Sequence, residues 1–92
     1  MAFERGSTWA RFDTAADAIT GRHKILSLAI SVGATAATRV APVSLKDGSG
    51  NVIGNYTGIA ETTTVLDLGG WWVDGLELDA LPTGAEVTAF FA

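Results

Sequence analysis

From His23 to Gly33 the chain reads HKILSLAISVG: Leu26, Leu28, Ile30 and Val32 fall on alternate positions, with Ser27, Ala29 and Ser31 between them. Side chains alternate between the two faces of a strand, so a period of two buries one row and leaves the other toward water. The same period recurs down the chain. RVAPVSLKD sets Ala41, Val43 and Leu45 against Pro42, Ser44 and Lys46, and because proline cannot donate to a ladder this strand is expected at an edge or bulged. DGSGN, residues 47–51, separates it from VIGNYTG as a hairpin loop. TTTVLDL (62–68), WWVDGLELDAL (71–81) and AEVTAFF (85–91) complete the series. Six short strands with glycine-rich turns and no long helix predict an all-β fold, a small antiparallel β-sandwich or flattened barrel.

The opening MAFERGSTWARFDTAADAITGR is different: polar, rich in small residues, with isolated large anchors at Phe3, Trp9, Phe12 and Ile19. A helix over Asp13 to Thr20 would be marginal in isolation. The segment reads as an extended N-terminal arm, residues 1–22, ahead of a β-sandwich domain, residues 23–92. On that division, removing residues 1–20 leaves the β body folded.

The aromatic residues pose a packing problem. Trp71 and Trp72 are adjacent, as are Phe90 and Phe91, so each pair must split between faces. One Trp and one Phe enter the core; their partners are left outside, side by side across the last hairpin. In an unbroken strand Trp72 would share a face with Asp74, Leu76 and Leu78, placing a carboxylate in the apolar row. A bulge at Asp74-Gly75 removes the conflict by aligning Trp71 and Val73 with Leu76 and Leu78, so Trp71 is expected inside and Trp72 outside. An outward Trp and Phe mark a protein contact, unless the N-terminal arm of the same subunit covers them. The candidate interface residues are Phe3, Trp9, Phe12, Trp72 and Phe90.

Length and composition bound the function. At 92 residues the chain is one small domain with a folded surface of roughly 5,000 Å², and domains of this size lean on disulfides, metals or oligomerisation. With no Cys and one His, oligomerisation is the route left open. Hydrophobic residues make up 48% and charged ones 17%, below the roughly 25% of ordinary soluble domains. No apolar run approaches the roughly 18 residues of a membrane span, and MAFERGSTW lacks the apolar stretch of a signal peptide. The excess apolar surface is therefore expected to meet protein rather than lipid. All six basic residues lie in positions 1–46 with three acids, whereas positions 47–92 hold seven acids and no Lys or Arg. Either the halves interleave in the fold, or a basic arm meets an acidic body on a neighbouring subunit. Net charge −4 without a basic cluster argues against nucleic-acid binding.

Local patterns that imitate active sites fail on their details. GSGNVIG places Ile53 where a dinucleotide loop needs glycine and is followed by no helix. Asp47, Ser49 and Asn51 resemble a calcium loop, but its twelfth position is Gly58 rather than a bidentate Glu. Asn55-Tyr56-Thr57 matches a glycosylation acceptor without a secretory signal. Glu77 and Asp79 sit two apart on one strand face, where no cleft faces them as a glycosidase pair requires. His23, between Arg22 and Lys24, has no nucleophile to activate. No catalytic residue, metal ligand or cofactor site is nominated, and the chain is not expected to be an enzyme.

The order of HKILSLAIS, the LKDGSGNVI hairpin, TTTVLDLGG and the closing VDGLELDALPTGAEVTAFF resembles small virion proteins of tailed bacteriophages. Their closing hairpin is similar to the one carried here by Gly75, Leu76, Leu78, Gly84, Val87 and Ala89. The resemblance spans roughly residues 22–92 and implies a capsid decoration (cement) protein or another minor structural role. It also implies assembly as a homo-oligomer, with a trimer favoured, the major capsid protein or another virion protein as partner, and residence on the capsid surface after synthesis in the host cytoplasm. Two alternatives stay open: a minor tail, connector or baseplate protein, and a carbohydrate-binding sandwich using Trp71 or Trp72 as a sugar platform.

Overall fold

Two long, bent strands organise the computed structural model, which describes residues 4–6 and 8–92. In chain order the elements are β1 (Glu4–Arg5), β2 (Trp9–Phe12), β3 (Ala18–Ser31), β4 (Val43–Asp47), β5 (Val52–Tyr56), β6 (Thr63–Ala80) and β7 (Glu86–Phe91). All pairings are antiparallel, in the order β1-β2-β7-β3-β6-β4-β5. The fold is all-β.

β3 and β6 each serve two layers. The C-terminal half of β3 pairs with β7 and with the first residues of β6, whereas its N-terminal half pairs with Trp71–Glu77 of β6. β4 pairs with β6 only from Leu76 to Ala80. The change of layer falls where the β3–β6 register breaks between Ile25 and Ser27, with Gly69 (φ 65) and Gly70 (φ 92) in the left-handed region that favours glycine. Strands that switch layers at bulges form the corners of a sandwich whose two sheets cross. In a flat sheet β2 and β4 would stand roughly 19 Å apart at about 4.8 Å per strand. Here Phe12 of β2 and Val43 and Leu45 of β4 join one buried cluster with Ile25, Leu28, Leu76, Leu78, Val87 and Phe91. The sheet is folded over that core. Its accessible surface of 5000 Å² matches what a chain of this length is expected to expose.

The alternation places most side chains where the sequence predicts. Leu28, Ile30, Val32, Val87, Ala89 and Phe91 are buried, and Glu86, Thr88 and Phe90 lie on the opposite face. A register break sets Thr20 and Gly21 of β3 opposite Gly75 (φ 87) of β6, so the extra residue lies on β3 rather than at Asp74-Gly75 as expected, but Val73 is aligned with Leu76 and Leu78, all buried, as that expectation requires.

Several expectations are corrected. TTTVLDL and WWVDGLELDA are not two strands but one, since Gly69 and Gly70 bend β6 without ending it. Leu26 is not in the buried row: the bulge at Ile25/Ser27 turns it outward at 41% exposure and puts Ile25 inside instead. The β4–β6 ladder shifts register between Ser44 and Leu45, but the extra residue is Asp79 of β6, so β4 is neither the bulged strand nor the edge strand that Pro42 suggested; it lies between β5 and β6, because Pro42 precedes its first residue. The boundary expected after residue 22 falls inside β3, and β2 pairs along β7 from Trp9↔Phe90 to Phe12↔Val87. Residues 9–22 therefore belong to the body, and Phe12, fully buried, is a core residue rather than an interface one. Loss of residues 1–20 would strip β1, β2 and the start of β3 from the sheet.

Candidate functional site

The inward-facing positions of β2, β3 and β7 are filled by core residues, which leaves the outer face of the sheet to meet other molecules. There the pair Trp9↔Phe90 is set side by side by the β2–β7 register, Trp9 36% and Phe90 42% exposed. Phe90 also faces Ser27 across β7–β3, and the bulge that places Leu26 outside lies against the same position. Gly6 makes room for the indole: a Cβ there would collide with the Trp9 ring. The Gly6 N–H also donates to the Trp9 carbonyl at 2.8 Å.

Trp72 lies further along the same face, 53% exposed and opposite Lys24. The Arg22 guanidinium stands 5.1 Å from its ring centroid, within cation–π range. Lys24 runs over Gly70, where any Cβ would strike its side chain. Trp72 and Phe90 are thus not neighbours across a hairpin, because β3 inserts between β6 and β7 and Trp9 takes the place beside Phe90.

Trp71 faces inward with its partner Ile25, yet it is 41% exposed while Ile25 is buried. The expected core position is corrected on a simple ground: β4 reaches β6 only from Leu76 onward, so among the described residues no strand pairs with β6 on that side at Trp71. Every tryptophan of the chain is therefore partly solvent-exposed. Phe3 lies outside the described residues.

The remaining polar candidates have structural roles. The His23 ring N–H donates to the Thr20 carbonyl at 2.8 Å, and the ring tilts against Phe91 at 4.8 Å between centroids. Lys46 bridges Glu77 at 3.4 Å and Asp79 at 3.3 Å, tying β4 to β6. These carboxylates raise the Lys46 pKa above the ordinary lysine value, first through the hydrogen bond to Asp79. Asp47 closes the β4–β5 turn by accepting the backbone N–H groups of Ser49 (2.9 Å) and Asn51 (3.0 Å). The Asn51 bond is the largest cause that holds its carboxyl below the ordinary aspartate value. A folded-state pKa below the unfolded one stabilises the fold above the unfolded value, and that contribution is lost as pH falls through the folded value. Asp47→Asn is therefore expected to reduce the acid sensitivity of unfolding below the ordinary aspartate range. An unchanged acid limb in urea titrations at stepped pH would contradict this.

Among the described residues, two recesses bear on recognition. One of about 380 Å³ is lined by residues 18–21, 48–49 and 74–77, with Gly21, Gly48 and Gly75 and the carboxylates Asp74 and Glu77 among them, and the other, of about 270 Å³, lies between β5 and the start of β6. No group of three His, Cys, Asp or Glu among the described residues is placed to hold a metal ion. The arrangement offers surface recognition: aromatic and aliphatic side chains interleaved with Arg22 and Lys24. Comparison with family models, curated proteins and solved structures gives no match.

Proposed function

We propose that this chain is a structural protein of a tailed-phage virion, a capsid decoration protein that seats its aromatic outer face on the major capsid lattice. The observation that carries the reading is the exposed Trp9–Phe90 pair, continued by Leu26 and Trp72 on a well-packed sheet. Large aromatics left in water on a rigid surface are characteristic of protein contacts. The resemblance of the closing hairpin to small virion proteins supplies the partner class.

The energetics suit a lattice. Covering these four side chains removes roughly 400 Å² of apolar surface, on the order of 10 kcal/mol at about 25 cal/mol per Å². Association costs about 4–15 kcal/mol, so one copy binds weakly. Repetition on a symmetric shell turns weak contacts into a stable coat. A sugar platform is disfavoured at Trp72, whose ring already carries the Arg22 guanidinium.

Copy number tests the assignment. Quantitative mass spectrometry of purified particles is expected to find the chain in numbers comparable to the major capsid protein. A dozen or fewer copies would move it to the tail, connector or baseplate. Absence from particles, with binding to a glycan array, would overturn the virion reading.

A further inference from the structure

The switch of β6 from one layer to the other leaves part of it with a neighbour on one side only. Its residues 63–67 pair with residues 27–31 of β3 without a register shift, and β4 pairs only with the far end of β6. Among the described residues, no strand pairs with the other side of this stretch. The Val32 N–H donates to the Thr62 carbonyl at 2.8 Å. Antiparallel bonding alternates, so Thr63, Val65 and Asp67 turn their N–H and C=O groups away from β3, toward the open side.

Natural edges are blunted by lysine, proline, bulges or a covering loop. This one has no Pro, no Lys or Arg and no bulge from residue 63 to 67, and Val65 is 66% exposed. Its one charge, Asp67, is bent back to accept the Gly69 N–H at 2.9 Å. On the inner face beside it lies the recess of about 270 Å³, lined by Ile30, Val32, Tyr56, Thr64 and Leu66 and free of charged side chains. β5, another uncharged edge, is less regular: its ladder with β4 breaks at Leu45/Lys46, and the Tyr56 ring folds over Gly54.

We infer that this edge of β6 pairs with a second copy of the chain about a two-fold axis at Val65. The edge is complementary to itself in that register. Val65 faces Val65, and Thr63 faces Asp67 of the second copy, so the only charge meets a hydroxyl rather than its like. Thr64 faces Leu66 on the inner side, which brings each leucine to the recess of the other copy. The residues with outward-turned backbone groups on one copy face those on the other, so both sets are satisfied. A pairing of this length falls short of the roughly 1,200–2,000 Å² of a standard interface, so the dimer forms in a concentration-dependent way. Two β3–β7–β2 layers then become one continuous sheet, and the contact unit is a dimer rather than the trimer the resemblance implies. This inference stands independently of the partner that the aromatic face meets.

Sedimentation velocity of the full chain from micromolar to millimolar concentration tests it, with Val65→Pro as the first variant. That substitution removes an N–H that faces no strand among the described residues, so the folded monomer is retained while dimerisation is lost. Val65→Lys, which sets like charges against each other at the axis, serves if the proline variant unfolds. The chain has no cysteine, and facing Cα atoms of a hydrogen-bonded pair lie about 5.5 Å apart, within disulfide reach. Val65→Cys is therefore expected to cross-link to a dimer on oxidation, whereas Val52→Cys on β5 is not. A wild-type chain that stays monomeric throughout would overturn the inference. So would a folded Val65→Pro or Val65→Lys variant that dimerises as well as wild type, or cross-linking through position 52 but not 65.

Discussion

Phe12→Ala is expected to cost about 3–5 kcal/mol, the upper range for truncating a single core side chain. Phe12 is fully buried and stands last in the β2–β7 ladder, opposite Val87, which is buried too. Its ring is part of the one buried cluster that joins β2 to β3, β4, β6 and β7. A chain of this length has a total stability of roughly 5–14 kcal/mol, so the variant keeps little margin. Urea unfolding should show a large fall in midpoint with the slope retained. A loss below about 1 kcal/mol would mean that β2 peels away without disturbing the core, which would restore the description of residues 1–22 as an arm.

Gly48→Ala is expected to cost about 1–3 kcal/mol by overpacking, through a different mechanism. Gly48 starts the turn after β4, and its N–H donates to the Asp74 carbonyl at 2.9 Å. An added Cβ would lie 2.5 Å from that oxygen, a backbone atom of β6 that cannot rotate aside. The approach is reciprocal, because a Cβ on Gly75 would stand 3.1 Å from the Gly48 Cα, and Gly75 has φ 87 besides. Gly75→Ala therefore adds a left-handed penalty of roughly 1–2 kcal/mol to the contact. The double variant should be non-additive because the two sites touch. Gly50 separates the terms: it has φ 89 but open space where a Cβ would go, so Gly50→Ala carries only the conformational penalty. Equal losses at Gly48 and Gly50 would show that close packing of this turn against β6 contributes nothing.

The strands were legible wherever alternation ran for five or more residues, as in β3 and β7, because period two is a direct imprint of a half-buried sheet. The break at Gly75 was legible too, since only a break could keep Asp74 out of the row formed by Val73, Leu76 and Leu78, but not that β3 carries the extra residue. β2 was not: WARF is four residues long, with Arg11 the polar member of too short an alternation to separate from a loop. Nor was the fusion of two expected strands into β6, because paired glycines ordinarily end a strand and here they bend one. The tryptophans show the limit most clearly. Parity assigns Trp71 to the inner face, but depth depends on whether a neighbouring strand extends that far, and β4 does not. Trp9 reads as a large anchor in the sequence, yet its partner Phe90 follows only from the β2–β7 register, a long-range property with no local signal.

On the proposed function, the outer face carrying Trp9, Phe90, Leu26 and Trp72 is the surface by which the protein joins a particle. Hydroxyl-radical footprinting of the free chain and of the same chain in purified virions tests it at single-residue level. Trp9, Phe90 and Trp72 are expected to be oxidised readily in the free protein and protected in the virion, while Ile59, exposed in the loop before β6, stays accessible in both. Equal oxidation of the three aromatics in both states, with protection elsewhere on the chain, would contradict the claim.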